Sequence, residues 1–318
     1  MGFSLFSATA SIAQAQIHGI KTDANTGYTG LFTITPPAAP VGTFHAPTAI
    51  NIVDLNTQAK LTWVDALAVN SKGDLFAYDN STHYSGRASS TTQLIRINKS
   101  TGEAQPIGSA WGPPAYIAGA AFDANDNLWI VNTANYTLRQ INPADGSTIG
   151  ASISITGFTA HALESSEAVD IVFDSDNKAY LSVDYSIYSL NVATGAASLL
   201  YTFPLPSPLV TPPNANPLLG GMAFDNNGGF WLSQHRNLDR IVYSADISST
   251  ALAAAHNAVM DLSGDTGVLN SGPTDLASWP FVLPTSVPAN NPVALIGLAF
   301  GVIGAGGMML RRRRKQAR

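Results

Sequence analysis

Short apolar runs separated by polar turns recur along the chain with a period of about fifty residues. Each repeat reads as an apolar strand, a tight turn rich in Asp, Asn and Gly, and a second strand that carries an aromatic residue. One position, at spacings of 53, 51 and 51 residues, holds Val69, Phe122, Phe173 and Phe224. A second position, which is always aromatic, holds Phe76, Trp129, Tyr180 and Trp231. A regular period of this length predicts a repeat architecture.

A third strand follows in every repeat, and three of the repeats continue into a further turn and a fourth strand. The third strands are residues 94–97, 138–141, 187–190 and 238–241. Four antiparallel strands in about fifty residues are typical of one blade of a β-propeller. The predicted fold class is therefore all-β.

The two ends of the repeat region predict how the ring of blades closes. Residues 30–35 look like a third strand, and residues 274–279 look like a first strand with no blade after them. Pairing the C-terminal strand with the N-terminal strands would complete a composite blade and remove both free sheet edges. The prediction is a β-propeller of five four-stranded blades, and residues 36–63 and 242–272 leave the alternative of a sixth.

The repeat resembles the blades of NHL-type and lactonase-type propellers, as in residues 121–130 (AFDANDNLWI) and 223–232 (AFDNNGGFWL). Lactonase-type propellers bind a divalent cation in the central channel through carboxylates and an Asn. The resemblance therefore implies candidate ligands for Ca²⁺ or another divalent cation at Asp65, Asp170, Asp275 and Glu167. The alternative is that these carboxylates line the channel or hydrogen-bond neighbouring strand ends, with no cofactor.

Two further groups of polar residues are candidates for binding. The ends of the second strands predict a polar binding face formed by Asp79, Asn132, Gln234 and His235. The turns that begin with Asp123, Asp174 and Asp225 look superficially like calcium loops, but a full EF-hand loop also needs a Glu at its twelfth position. Turn chemistry is the preferred interpretation, because Asp and Asn bond their own backbone in hairpins. The aromatic position is predicted to pack in the core.

Composition and charge exclude several classes of function. The chain has no cysteine, which rules out thiolate metal sites and disulfides. Residues 1–310 carry ten basic and 21 acidic residues, a net charge of −11 that argues against nucleic-acid binding. No GxSxG, HExxH, P-loop or GxGxxG motif occurs in the repeat region. Propellers host enzymes and scaffolds alike, so the enzyme question stays open, with a non-enzyme favoured.

The C-terminal end predicts a membrane segment. Residues 293–310 are eighteen consecutive residues without a charge, long enough to span a bilayer as a helix. A proline-rich linker, residues 283–292, precedes them, and the basic residues 311–318 follow and should stay cytoplasmic. The residues expected to direct sorting and topology are Val287, Pro288, Arg311, Arg312, Arg313 and Arg314. This order of features resembles the PEP-CTERM and IPTL-CTERM sorting tails handled by exosortase-type membrane enzymes, although neither a Pro-Glu-Pro nor an Ile-Pro-Thr-Leu is present.

The N-terminal end predicts export. Residues 1–15 are small and mildly apolar and end in an A-x-A pattern, which indicates a signal peptide that lacks its basic start. The ectodomain would then span residues 16–282. The predicted function is an exported cell-surface or extracellular-matrix protein that presents a propeller for an unknown protein or glycan partner. A membrane sorting protease or transpeptidase would process the tail, and the alternative function is a metal-dependent lactonase- or lyase-like enzyme that uses channel carboxylates.

Overall fold

The chain forms five sheets of four or five strands in the part that the structure describes, and all but one of the strand pairs within them are antiparallel. The structure is a computed structural model, which describes residues 16–22, 26–36, 49–80, 91–112, 115–158, 168–203, 218–235, 240–254, 259–261 and 273–279. The N-terminal strands are β1 (Ile17–Thr22), β2 (Thr29–Ile34), β3 (Ile50–Asn51) and β4 (Val53–Asp54).

Four sheets follow in chain order, and each runs from its innermost to its outermost strand. Blade 1 contains β5 (Val64–Val69), β6 (Leu75–Asp79), β7 (Gln93–Ile97) and β8 (Glu103–Pro106), and β4 pairs parallel with β8 at its outer edge. Blade 2 contains β9 (Ile117–Phe122), β10 (Leu128–Asn132), β11 (Thr137–Ile141) and β12 (Thr148–Ser154). Blade 3 contains β13 (Val169–Phe173), β14 (Ala179–Val183), β15 (Ser186–Asn191) and β16 (Ala196–Thr202). Blade 4 contains β17 (Leu218–Phe224), β18 (Phe230–His235), β19 (Arg240–Ser244) and β20 (Val259–Asp261), with helix α1 (Ser249–Ala254) before β20.

The ring closes through a composite fifth blade. The last strand, β21 (Pro273–Ala277), pairs antiparallel with β1, so that blade 5 has the order β21, β1, β2, β3. The five innermost strands contact one another in the order β5, β9, β13, β17, β21 and back to β5. The predicted five-bladed propeller and its closure are confirmed. The two segments left open for a sixth blade supply β3, β4, α1 and β20 in the described residues instead.

The turn between the first and second strands has the same hydrogen bonding in blades 2, 3 and 4. In blade 4, Asp225 Oδ1 accepts the backbone N–H groups of Asn227 and Gly229, both at 2.9 Å, and Oδ2 accepts the indole N–H of Trp231 at 3.1 Å. Asp123 and Asp174 bond their turns and their aromatic partners in the same way. These carboxylates are therefore turn residues, as the sequence predicted.

The core lies between adjacent blades, because each sheet packs both faces against its neighbours. The innermost strands β5, β9 and β13 are buried along their whole length. The aromatic position points into these interfaces: Trp231 is 1% exposed and packs with Ile17 and Phe32 between blades 4 and 5. The predicted core role of the aromatic position is confirmed for Phe76, Tyr180 and Trp231, whereas Trp129 is only partly buried.

The predicted terminal segments lie outside the described residues. These are residues 1–15, 283–292, 293–310 and 311–318, together with the sorting residues Val287, Pro288 and Arg311 to Arg314. In the part of the chain that the structure covers, no helix is long and apolar enough to cross a membrane.

Candidate functional site

Three aspartates of the first strands lie buried around the axis of the propeller. Asp170 is on β13 and Asp275 on β21, and both are 0% exposed; Asp65 is on β5 and is 8% exposed. These are three of the four residues that the sequence predicted as metal candidates. The fourth, Glu167, lies outside the described residues.

Each of the three carboxylates bonds its own strand through one oxygen and the next blade through the other. Asp170 Oδ1 accepts the N–H of Ile171 at 2.6 Å, and its Oδ2 accepts the N–H of Met222 in blade 4 at 2.6 Å. Asp275 accepts the N–H of Leu276 at 2.7 Å through Oδ1 and the N–H of Leu67 in blade 1 through Oδ2.

Asp65 follows the same rule with a side-chain donor. Its Oδ1 accepts the N–H of Ala66 at 3.0 Å, and its Oδ2 accepts the hydroxyl of Tyr116, which leads into blade 2, at 3.2 Å. A β-bulge interrupts the pairing of β5 between Asp65 and Ala68. The bulge explains why Asp65 is offset by one position from Asp170 and Asp275 in the repeat.

These bonds supply acceptors for backbone N–H groups of the innermost strands. The innermost strand of a blade pairs on one side only, so its N–H groups on the axial side need other acceptors. Two carboxylates, with four oxygens, accept such N–H groups from four consecutive blades: Ile171, Met222, Leu276 and Leu67. The axial aspartates therefore tie blade 3 to blade 4 and blade 5 to blade 1.

Asp170 and Asp275 can approach each other because glycine occupies the position between them. Blade 4 carries Gly221 there, and a Cβ atom on it would lie 2.2 Å from the backbone nitrogen of Leu276. Gly119 of blade 2 is confined in the same way, since its Cβ atom would lie 2.7 Å from Cα of Asp170. The two carboxyl groups are close enough for each to shift the pKa of the other.

The close approach changes the acidity of both carboxyl groups. Burial raises the pKa of Asp170 well above its usual value of 3.8, and the charge of Asp65 adds to the effect. Burial also raises the pKa of Asp275, and the charge of Asp170 is the next cause. Two neighbouring buried carboxylates cannot both be ionised at low cost, so we expect the native pair to retain a proton at pH values where the unfolded chain has lost it.

The described residues at the axis do not form a cluster of metal ligands. In the described residues, no group of three or more His, Cys, Asp or Glu side chains is arranged to hold a metal ion. One end of the axis has a small cleft, which is lined mainly by alanine and larger apolar side chains of all five innermost strands, including Phe122, Phe173 and Met222. An apolar lining supplies no ligands for a hard cation such as Ca²⁺.

The predicted binding-face residues lie at the ends of second strands. Asp79 ends β6 and is partly buried, and Gln234 and His235 end β18. Asn132 ends β10 but is only 2% exposed, and its Oδ1 accepts the N–H groups of Tyr116 at 3.2 Å and Ala134 at 3.0 Å. Asn132 therefore shapes the turn that follows it, whereas the other three stay candidates for the face.

Comparison with known proteins gives one family match and a set of solved structures with low sequence identity. Residues 9–170 match a family described as a repeat of unknown function, DUF6923. No curated protein sequence matches the chain.

Several solved structures are similar at low sequence identity. Virginiamycin B lyase from Staphylococcus aureus is 15% identical, with 75% of this chain and 68% of that chain covered and a TM-score of 0.38. A protein of unknown function from Bacteroides thetaiotaomicron is 12% identical, with 84% and 72% covered and a TM-score of 0.44. A chain of the nidogen/laminin complex is 11% identical, with 84% and 100% covered and a TM-score of 0.46.

Proposed function

Since the chain belongs to the DUF6923 family, a repeat of unknown function, we propose from its own geometry that it is a non-enzymatic binding scaffold. The propeller presents the loops and strand ends of one face to a partner, while its axis serves to hold the blades together. The occupied axial carboxylates carry this proposal. Both oxygens of Asp170 and of Asp275 already accept backbone N–H groups, so a cation at either carboxylate would compete with these bonds.

The alternative is a metal-dependent enzyme, which requires several oxygens that converge on one open point. A cation at Asp170 would compete with the N–H group of Met222 for Oδ2, and loss of that bond would leave a buried N–H group without an acceptor. The scaffold is favoured because all four carboxylate oxygens already serve backbone amides that have to be satisfied.

A cation titration separates the two functions. We expect Ca²⁺, Mg²⁺, Mn²⁺ and Zn²⁺ to leave the melting temperature of the full chain unchanged, and EDTA likewise. A resident cation at 100 times its dissociation constant would add about 2.7 kcal/mol to the free energy of unfolding, which a melting curve detects. Saturable stabilisation by one cation that disappears in Asp170→Asn would overturn the scaffold proposal.

We further propose that the scaffold is exported and held at the inner membrane, at least transiently, by residues 293–310. Support comes from the uncharged stretch, from the arginine cluster that follows it, and from the A-x-A pattern at residues 13–15. The exposed partner would be a protein or glycan, and a membrane sorting protease or transpeptidase would act on the tail.

Reporter fusions test the topology. A periplasm-only reporter fused after Pro284 should be active, and the same reporter fused after Arg318 should be inactive, because the arginines resist translocation. The opposite pattern would contradict export with a cytoplasmic C-terminus. A melting curve of each fusion protein controls for folding of the propeller.

A further inference from the structure

A buried histidine lies in the strand pair that closes the ring. His18 is on β1 and is 3% exposed. In the sheet of blade 5, His18 pairs with Ala277 of the last strand β21 on one side and with Thr33 of β2 on the other. Its Nδ1 atom and the hydroxyl oxygen of Thr33 are hydrogen-bonded at 2.9 Å. His18 therefore belongs to the contact between the first and the last strand of the propeller.

The side chain of His18 points into the interface between blades 5 and 1. Side chains two positions apart on a strand share a face of the sheet, so His18 lies on the same face as Ile20. Ile20 is 0% exposed and packs with Val64 and Leu67 of blade 1. The imidazole therefore has little contact with water while blades 5 and 1 are packed together.

The ionisable groups near His18, among the described residues, are Lys99 in blade 1 and Asp275 on β21. The ammonium of Lys99, in the turn between β7 and β8, acts on His18 as a like charge. The two oxygens of Asp275 are directed to the backbone, where they accept the N–H groups of Leu276 and Leu67. The two residues that pair with His18, an alanine and a threonine, carry no charge. A charged imidazole at this position would therefore be buried and repelled by Lys99.

Burial and the like charge keep His18 neutral in the closed ring. Burial lowers the pKa of His18 from 6.5 to about 4, and the charge of Lys99 contributes to the decrease. In the unfolded chain the imidazole is hydrated and its pKa is about 6.5. Between these two values the unfolded chain binds a proton that the closed ring excludes. The contribution of His18 to stability is therefore present above pH 6.5 and is lost as the pH falls towards 4.

The contact between β21 and β1 has no turn to support it. In blades 1 to 4 a short turn joins the first strand to the second, whereas β21 and β1 come from opposite ends of the described chain and are held together by their pairing. We propose that His18 is an acid-sensitive switch in the fold: a proton on its imidazole is incompatible with the contact between β1 and β21, so acid opens the ring and unfolds the propeller. The proton itself is the signal, and the switch acts without a ligand.

Urea unfolding of the full chain between pH 4 and pH 7 tests the switch, with His18→Gln as the variant that cannot titrate. We expect the unfolding equilibrium constant of the parent, divided by that of His18→Gln, to rise about tenfold per pH unit as the pH falls below 6.5. The total rise between pH 6.5 and pH 4 should be about 300-fold. The ratio isolates His18, because the axial carboxyl pair is present in both proteins and changes stability in the opposite direction.

Thr33→Val is the matched control at the same contact. It removes the hydroxyl group that bonds His18 and keeps the titrating imidazole, so it should lower stability and retain the pH dependence of the parent. A purely structural role of His18 would instead make the ratio of parent to His18→Gln the same at every pH.

A proton NMR titration of the parent measures the same effect without a variant, so the test holds if His18→Gln does not fold. The Cε1 proton of His18 should keep the chemical shift of a neutral imidazole down to about pH 5 and change only near pH 4. Titration of His18 near pH 6.5 in the native protein, or a ratio of parent to His18→Gln that does not change with pH, would overturn the switch.

Discussion

We expect a chain that stops after residue 272 to lose its cooperative unfolding transition, whereas a chain that stops after Trp279 keeps it. The shorter chain lacks β21, so β1 loses its inner partner and β5 and β17 lose a neighbour at the axis. It also lacks Leu276, which is 1% exposed, and Asp275. The loss should exceed about 5 kcal/mol, which is comparable with the whole stability of a typical domain.

Urea unfolding followed by circular dichroism measures this effect, and the chain that stops after Trp279 is the matched control because it differs only in the seven residues 273–279. If both chains unfold at the same urea concentration with the same slope, β21 does not close the ring and the description of blade 5 is wrong. A shallow, non-cooperative transition in the shorter chain alone is the expected result.

The second large effect is on the pH dependence of stability. In the unfolded chain, the carboxyl groups of Asp170 and Asp275 have a pKa near 3.8, whereas burial raises the pKa of both in the native protein. Above pH 3.8 the unfolded chain therefore binds fewer protons than the native pair does. The contribution of this pair to the free energy of unfolding is fully present below that pH and falls as the pH rises, by up to about 1.4 kcal/mol per pH unit for one proton.

Asp275→Asn should reduce this slope, because it removes one of the two titrating groups and leaves Asp170 beside a neutral amide. Asp176→Asn is the control: its carboxylate is 71% exposed, so the slope should match that of the parent. Urea midpoints measured at intervals from pH 4 upwards give the slopes. Identical slopes in Asp275→Asn and the parent would mean that the axial pair does not share a proton.

Much of the architecture could be predicted because each repeat carries local signals that agree with its tertiary role. The Asp that begins each turn and the aromatic residue six positions later, such as Asp225 and Trp231, are bonded to each other in the fold. This bond was not predicted, but the constant spacing and the polar atom on Trp and Tyr are the signal that could have revealed it. Phe76, which has no such atom, follows Asn70 instead of Asp.

The role of the axial aspartates could be predicted only in part. The repeat placed Asp170 and Asp275 at one position, and hydrogen bonding to neighbouring strands was one of the two interpretations offered. The sequence could not show which N–H group Asp275 accepts, because Leu67 is 208 residues from Asp275 and meets it only when the ring is closed. The glycine at position 221 was the missed signal, since a small residue between two equivalent aspartates allows their side chains to meet.

Hydrogen exchange of the Leu67 amide reports on ring closure at the axis, because this N–H group meets its acceptor, the carboxylate of Asp275, only when β21 lies beside β5. We expect Leu67 to exchange as slowly as the most protected amides of the core, and Asp275→Ala to accelerate exchange at Leu67 far more than at core amides of blade 3. Exchange at Leu67 as fast as in exposed turns, or unchanged in Asp275→Ala, would contradict it.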